Sequence, residues 1–185
     1  SRGIRHWLRR LFGMRDGAET LRDTIEELIE NEEISDDSGA DELVLLRNIL
    51  SLRDLTTDDV MVPRADIVAV EIDTSLPDLV TLMSGKAHSR VPVYRETLDD
   101  AVGMVHIKDV LACWDASAPF ELSNIVRRVL FVAPSMPMLE LLLQMRANRT
   151  HMALVVDEFG GIDGLITIED LIEEIVGEIE DEHDA

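Results

Sequence analysis

The chain contains an internal repeat. Residues 88–111 align with residues 149–172 without a gap, so that positions 61 apart match, as Gly103 matches Gly164 and Asp109 matches Asp170. Such self-similarity is typical of a fold assembled from copies of one supersecondary unit. Two copies of about 60 residues each are too small to be stable alone. We therefore expect them to pack face to face around a pseudo-twofold axis.

Each copy predicts the same order of elements: strand, helix, strand, turn, strand, helix. The predicted strands are 67–72, 91–94 and 101–106 in the first copy, and 129–132, 152–156 and 162–167 in the second. The predicted helices run from Ser75 to about residue 84, from about Lys108, near 137–149 and over 168–177. Gly160 and Gly161 supply the second hairpin turn, because glycine permits positive φ. The fold class is α+β, two β-α-β-β-α units related by pseudo-twofold symmetry.

Two helices are predicted before the repeat, over residues 19–34 and 41–54. A run of serine, aspartate and glycine at residues 35–39 separates them and reads as a linker. The second helix is expected to bury Leu43, Leu46, Ile49 and Leu50. The expected domains are an N-terminal helical extension (1–55), a first repeat (56–117) and a second repeat with an acidic C-terminal helix (118–185).

The overall charge argues against a nucleic-acid partner. The chain carries 38 Asp and Glu against 17 Lys and Arg, a formal net charge of −21, and this negative field repels phosphate backbones. Cys113 is the single cysteine, which excludes an internal disulfide and a multi-cysteine metal site. The sequence also shows no nucleophile elbow, no P-loop and no histidine partner in motif for the cysteine. We therefore do not expect an enzyme.

The first 15 residues have the opposite charge. They carry five arginines and no acid, so the remainder carries −26 (−21 − 5). On a helix Ile4, Trp7, Leu8, Leu11 and Phe12 share one face, a pattern typical of helices that lie on anionic membranes or dock to a partner. The alternative is a helix packed on its own protein, or a frayed terminus.

No apolar stretch approaches the roughly 20 residues that a membrane-spanning helix needs, and the basic start lacks a signal-peptide core. The expected location is the cytoplasm. Residues 1–15 could attach the protein to the inner membrane surface or to a membrane partner.

The motifs resemble a known module. A β-α-β-β-α unit ending in Gly-x-x-Thr-x-x-Asp, repeated in tandem, resembles a cystathionine-β-synthase (CBS) domain pair, the Bateman module. Four longer motifs resemble the CorC / haemolysin-C-like (TlyC) magnesium and cobalt efflux family: Met61-Val62-Pro63-Arg64, HSRVPVY at 88–94, HMALVVDEFGG at 151–161 and EEIVGEIEDE at 173–182. The resemblance covers roughly residues 48–184.

Thr167 and Asp170 are the principal candidate site residues. A hydroxyl at the end of a strand and a carboxylate in the next helical turn suit a nucleotide, because a carboxylate accepts hydrogen bonds from vicinal ribose hydroxyls and a helix start favours phosphate. The resemblance assigns these roles to Thr167 and Asp170. On spacing alone, the alternative is a simple helix-capping pair.

The resemblance also implies that the ligand lies between the two copies. The opposite wall is then expected around Val62, His88, Ser89 and Arg90, with the planar guanidinium of Arg90 as a phosphate clamp. For Arg90, as for His151 in the second copy, the alternative is a buried structural role.

A second, weaker site is expected at the equivalent position of the first copy. There His106 replaces the threonine and Asp109 keeps the carboxylate, and His151 and Met152 would face it. The acids of the last helix favour a solvated face over a metal site, so no metal ligand is assigned. Magnesium would enter through the phosphates of the nucleotide.

Two functional hypotheses follow. The first is a regulatory module that binds AMP, ADP or ATP, with or without magnesium, in a protein of magnesium and cobalt efflux or resistance. The alternative is a ligand-free dimerisation or scaffold module that docks to a membrane partner. We expect a homodimer formed through the CBS helices.

Overall fold

The computed structural model describes residues 37–114 and 119–177. The chain divides into two compact units, one holding the chain up to Leu55 and from Ile172 onward, the other Thr56–Leu171. The arginine-rich start and the predicted helix at 19–34 lie outside the described residues, as does the acidic tail from residue 178.

In the first unit, helix α1 spans Asp37–Ser51 and begins before the predicted residue 41. Gly39, which was expected to belong to a linker, lies inside the helix at a propensity cost of about 1 kcal/mol relative to alanine. The predicted buried face is wrong in part, because Leu46 is 49% exposed and Ile49 is 40% exposed. The helix turns these two residues outward. Within this unit the Asn48 side-chain amide donates to the Ile175 carbonyl at 3.0 Å.

The second unit contains both repeats. Its elements, in chain order, are α2 Thr57–Val60, β1 Val62–Pro63, β2 Val70–Glu71, α3 Leu76–Lys86, β3 Arg90–Tyr94, β4 Ala101–His106, α4 Ile107–Cys113, β5 Leu130–Val132, α5 Met138–Asn148, β6 Met152–Val156, β7 Ile162–Thr167 and the start of α6 Ile168–Val176. The predicted strand at 67–72 shrinks to β2, since the chain before it forms a 3₁₀ turn, Arg64–Asp66, closed by the Ile67 N–H on the Arg64 carbonyl.

Each repeat builds its own sheet around a parallel pair and an antiparallel hairpin. In the first repeat β2 runs parallel to β3 and β3 pairs antiparallel with β4. In the second, β5 runs parallel to β6 and β6 pairs antiparallel with β7. A helix, α3 or α5, connects the strands of each parallel pair, as such connections require. The predicted β-α-β-β-α unit is therefore present twice.

A segment near the start of each repeat pairs with the sheet of the other repeat. Strand β1 lies antiparallel to β7, with Val62 opposite Leu165, and Arg127 forms an antiparallel bridge with Met104 of β4. Both segments pass close to a glycine. A Cβ on Gly164 would lie 2.3 Å from the Met61 sulfur, and one on Gly103 would lie 2.3 Å from the Arg127 carbonyl oxygen. The matching glycines of the repeat are thus explained by close backbone approach.

The core repeats with the sequence. Buried aliphatic side chains occupy positions 61 apart in the two sheets and in the helices that follow them: Val91 and Met152, Val93 and Leu154, Val105 and Ile166, Val110 and Leu171. Aromatic residues make up only 4% of the chain, so methionine and branched aliphatic residues fill this interior. The two sheets consequently present equivalent ends, with β4 leading into α4 and β7 leading into α6.

Candidate functional site

Thr167 and Asp170 form a reciprocal helix cap at the junction of β7 and α6. The Thr167 backbone N–H and hydroxyl donate to Asp170 Oδ2 at 2.6 and 2.8 Å, and the Asp170 N–H donates back to the Thr167 hydroxyl at 3.4 Å. Both residues are half-buried. The other carboxylate oxygen, Oδ1, has no hydrogen-bond partner among the described residues. The two residues therefore do form a helix-capping pair. This pair leaves Asp170 Oδ1 free to accept a hydrogen bond.

The equivalent junction of β4 and α4 is arranged differently. His106 Nδ1 accepts from the Lys108 backbone N–H at 3.0 Å, so the imidazole takes the place of the threonine hydroxyl as the cap. The Asp109 carboxylate accepts from Arg127 Nε and Nη2 at 2.6 and 2.7 Å, a bidentate pair. Both oxygens of Asp109 are thus engaged within the protein.

Arg90 links the two repeats. It begins β3, and its side chain is only 17% exposed. Its Nη1 pairs with Glu169, next to Asp170, and its Nη2 lies 3.4 Å from His151 Nδ1. Its Nε is buried and has no hydrogen-bond partner within residues 37–114 and 119–177. The guanidinium therefore lies beside the Thr167 and Asp170 junction and still has an unused donor.

The remaining residues of the predicted principal site surround this junction. Val62 lies on β1, which pairs with β7 near its end at Thr167. His88 and Ser89 are exposed and directly precede β3. The Ser89 carbonyl accepts from the Ile107 N–H at 2.9 Å. None of these three side chains forms a hydrogen bond with Asp170 in the described part of the chain.

A cavity of about 590 Å³ opens on the first-repeat side. Its walls come from β3, β4, the start of α4, the segment before β5 and the junction of α5 with β6: Arg90, Met104, His106, Lys108, Arg127, Arg128, Val129, Leu130, Asn148, Arg149, Thr150 and His151. Of the residues predicted for the weaker site, His151 lines this cavity. Asp109 and Met152 are not part of its lining, and Met152 is buried in the sheet.

Sequence reasoning missed most of the cations of this cavity. Lys108, Arg127, Arg128 and Arg149 were not assigned to any site, although an adjacent arginine pair is conspicuous in so acidic a chain. Their clustering depends on the Arg127 bridge to β4, which brings a segment from the start of the second repeat onto the first. That exchange is not visible in the sequence pattern.

Electrostatics at the cavity are positive. Burial, reinforced by Arg90 and Arg127, holds the pKa of His106 below its usual value of 6.5. Because Nδ1 already accepts a hydrogen bond, a neutral His106 presents its other ring nitrogen, Nε2, as a donor.

Two further properties of the described residues bear on function. No helix within 37–114 and 119–177 is both long and apolar enough to cross a membrane. Across the same residues, no group of three or more His, Cys, Asp or Glu side chains is placed to hold a metal ion.

Comparison with known proteins identifies the family. The model of the CBS domain matches residues 52–114 and 122–177, the two repeats described above. The chain belongs to the CBS-domain family. The α+β CBS pair expected from the repeat is confirmed.

Within this family, the relatives are those expected from the motifs. Hemolysin C of Rickettsia prowazekii (strain Madrid E) is 48% identical over 145 residues, which cover 78% of this chain and 48% of that protein. The chain thus spans about half the length of the curated relatives it matches. The resemblance to the CorC and haemolysin-C group is confirmed.

Solved CBS pairs share the fold. The CBS domain of the bacterial CNNM/CorC family Mg²⁺ transporter with an inhibitor is 38% identical, with a TM-score of 0.78 over 88% of this chain and 99% of that one. The same domain in complex with ATP is 42% identical (TM-score 0.69; 75% and 99% covered). A CBS-domain pair from Klebsiella pneumoniae with bound AMP is 32% identical (TM-score 0.59; 66% and 99% covered).

Proposed function

We propose that this CBS pair is a regulatory module that binds an adenine nucleotide between its two repeats, in a protein of magnesium and cobalt efflux. The observation that carries the proposal is the Thr167 and Asp170 cap, which holds a carboxylate with one free oxygen beside the guanidinium of Arg90. Related CBS pairs solved with ATP and with AMP support the ligand class.

The geometry suits the parts of a nucleotide. The free oxygen of Asp170 would accept from the ribose hydroxyls, because an ionised carboxylate only accepts hydrogen bonds. Arg90, with Ser89 and His88 beside it, would bind the phosphates, and Val62 would contribute an apolar wall on β1. In this proposal phosphate replaces Glu169 as the partner of Arg90, a charge-assisted exchange at a half-buried position.

Such a ligand would couple the repeats. Arg90 belongs to the first repeat, and Asp170 and Glu169 belong to the second, so a nucleotide held by both favours the arrangement of repeats that it bridges. Binding then regulates by population shift and needs no catalysis. Magnesium would accompany ATP through its phosphates. Cation movement itself would belong to a membrane partner or to parts of a longer protein, with this module at the cytoplasmic face.

Calorimetry tests the proposal. AMP, ADP and ATP, each with and without magnesium, are titrated into the wild-type protein and into Asp170→Ala, Asp170→Asn and the exposed control Asp73→Asn. Asp170→Ala removes the ribose acceptor and should abolish binding. Asp170→Asn can still cap the helix, which separates ligand binding from folding. The control should bind as the wild type does.

Absence of binding by all three nucleotides would overturn the proposed function. Unchanged affinity in both Asp170 variants would overturn the site. Thermal unfolding of each variant, measured in parallel, verifies that the protein is folded.

Self-association is a second candidate function. Leu111 on α4 and Ile172 on α6 occupy the same position of the repeat and are 59% and 45% exposed. Trp114, at the end of α4, is also exposed. Large apolar side chains repeated on two helices favour a homodimer formed through them.

Light scattering after size-exclusion chromatography tests the homodimer. We expect a dimer for the wild type and a monomer for Leu111→Glu, with Lys86→Glu as a control of the same final residue. A wild-type monomer at every concentration would contradict this candidate.

A further inference from the structure

The cavity on the first-repeat side concentrates positive charge in an acidic protein. Five of its lining residues are permanent cations, whereas the whole chain has a net charge of −21. Arg90 and Arg127 are partly neutralised by Glu169 and Asp109. The other three form no ion pair with any residue in the described ranges: Lys108, Arg128 and Arg149. Like charges held together without counter-ions favour an anionic ligand.

Two buried polar atoms of the same cavity lack hydrogen-bond partners in the part of the chain that the structure describes. They are Arg90 Nε and the Thr150 hydroxyl oxygen. Both residues belong to the lining. Buried donors of this kind are normally satisfied, so an unpaired one requires an explanation. A ligand rich in acceptor oxygens would satisfy both.

Among the residues that the structure describes, the cavity lacks a free carboxylate oxygen like that of Asp170, which could accept hydrogen bonds from ribose hydroxyls. The equivalent carboxylate, Asp109, gives both oxygens to Arg127 at 2.6 and 2.7 Å. His106 uses Nδ1 to cap α4, so its neutral ring offers only an N–H donor. Most of the polar groups left over are cations, which match anionic phosphate oxygens better than neutral ribose hydroxyls.

We propose that this cavity binds a chain of two or more linked phosphates, held by Lys108, Arg128 and Arg149, as a site that adjoins the Asp170 nucleotide site at Arg90 but does not need Asp170. The chain could belong to an inorganic polyphosphate or to a nucleoside di- or triphosphate. Recognition lies in the phosphates, so a nucleoside alone does not bind here. The site is thus not a weaker copy of the nucleotide site, because it selects a different part of the ligand.

Calorimetry with sodium tripolyphosphate at fixed ionic strength tests the inference. The double variant Lys108→Gln/Arg128→Gln removes two exposed contacts of the cavity, and we expect at least a tenfold loss of affinity. The matched control is Arg146→Gln, which removes an exposed arginine of α5 outside the cavity and should bind normally. Asp170→Ala should also bind tripolyphosphate normally, although it loses adenine nucleotides.

Further arms distinguish the two sources of the phosphate chain. AMP in the Asp170→Ala background should not bind, and ATP in that background should bind if the cavity accepts a nucleoside on the chain. If only tripolyphosphate binds there, the ligand is inorganic, and the inference still holds. On binding, the His106 imidazole signals should shift and its pKa should rise.

Three results would overturn the inference. They are no binding of tripolyphosphate to the wild type, an equal loss in Arg146→Gln and the double variant, and a loss in Asp170→Ala with none in the double variant. The nucleotide proposal would fail separately, through nucleotide binding that is absent or insensitive to Asp170.

Discussion

At the scale of the residue, equivalent positions of the two repeats form different hydrogen bonds. Thr167 and His106 are equivalent, and each caps the helix that follows its strand. The hydroxyl engages the carboxylate of Asp170 and leaves one of its oxygens free. The imidazole instead accepts from the backbone, while Asp109 pairs with Arg127. Substitution at the cap thus accompanies a change from a carboxylate with one free oxygen to one that is fully paired with an arginine.

The titration of His106 is a first prediction. Burial disfavours the imidazolium, and Arg90, Arg127 and Lys108 repel it more than Asp109 attracts it, so the pKa lies below 6.5 in the folded protein. The unfolded chain then binds more protons than the folded one as pH falls below 6.5, and His106 lowers stability in that window. NMR of the imidazole carbon-bound protons measures the pKa, with His106→Gln to assign the signals. Titration at or above 6.5 would contradict the account.

The repeat glycines give a second prediction. Alanine at Gly103 or Gly164 would place a Cβ 2.3 Å from the segment that crosses from the other repeat. We expect each substitution to cost roughly 2 kcal/mol or more, because the obstacle includes backbone. Gly85→Ala is the control, since it lies in α3 with nothing within 4 Å of the new Cβ and should be neutral or slightly stabilising. Urea unfolding compares the three, and equal stability would refute the close-approach explanation.

At the scale of the element, the sequence predicts regular periodicity well and irregular backbone poorly. The strands at 101–106, 152–156 and 162–167 are found with the predicted bounds, because each is a short segment rich in apolar residues; 152–156 is a continuous apolar run and 162–167 alternates between buried and half-buried residues. Strand β1 is only two residues long and pairs with a strand 100 residues later, so no local pattern predicts it. The cavity depends on the same kind of exchange through Arg127, which explains why its cations were missed.

The ends of α3 and α5 give a third prediction. Each helix ends in a left-handed residue, Ala87 at φ 55° and Arg149 at φ 52°, where glycine is free of the Cβ penalty. Ala87→Gly and Arg149→Gly should each stabilise the protein by roughly 0.5–1 kcal/mol. Only Arg149→Gly should also weaken tripolyphosphate binding, because Arg149 lines the cavity and Ala87 does not. Thermal unfolding and calorimetry separate the two effects.

Destabilisation by both glycine substitutions would show that the left-handed ends are not strained. Equal tripolyphosphate affinity in the two variants would show that Arg149 does not contribute to phosphate binding in the cavity.

At the scale of the whole molecule, positive and negative side chains are unevenly distributed. The net charge of −21 coexists with a cavity lined by five cations, and the segment 1–15, which carries five arginines, lies outside the described residues. An anionic ligand is repelled at a distance and attracted at short range, so salt should influence entry and binding in opposite directions. The acidic composition thus disfavours binding of long nucleic acids, whereas the cavity favours small phosphates.

The exchange of segments makes the repeats interdependent, which gives a fourth prediction. The sheet of the second repeat includes β1, which comes from the first repeat. Arg64 binds Asp99 of the first repeat and donates to the Ile162 carbonyl of the second at 2.7 Å. A fragment of residues 118–185 therefore leaves β7 with an unpaired edge and should not unfold cooperatively. Calorimetry compares the thermal unfolding of the fragment with that of the whole chain. A cooperative transition in the fragment would contradict this dependence.

The structure of the protein determined with ATP and magnesium tests the central claim most directly. We expect one ATP between the repeats, with its ribose hydroxyls within about 3.2 Å of the Asp170 carboxylate and its phosphates in contact with Arg90, which has left Glu169. ATP bound without contact to Asp170, or no ATP at a concentration that saturates calorimetric binding, would contradict the account.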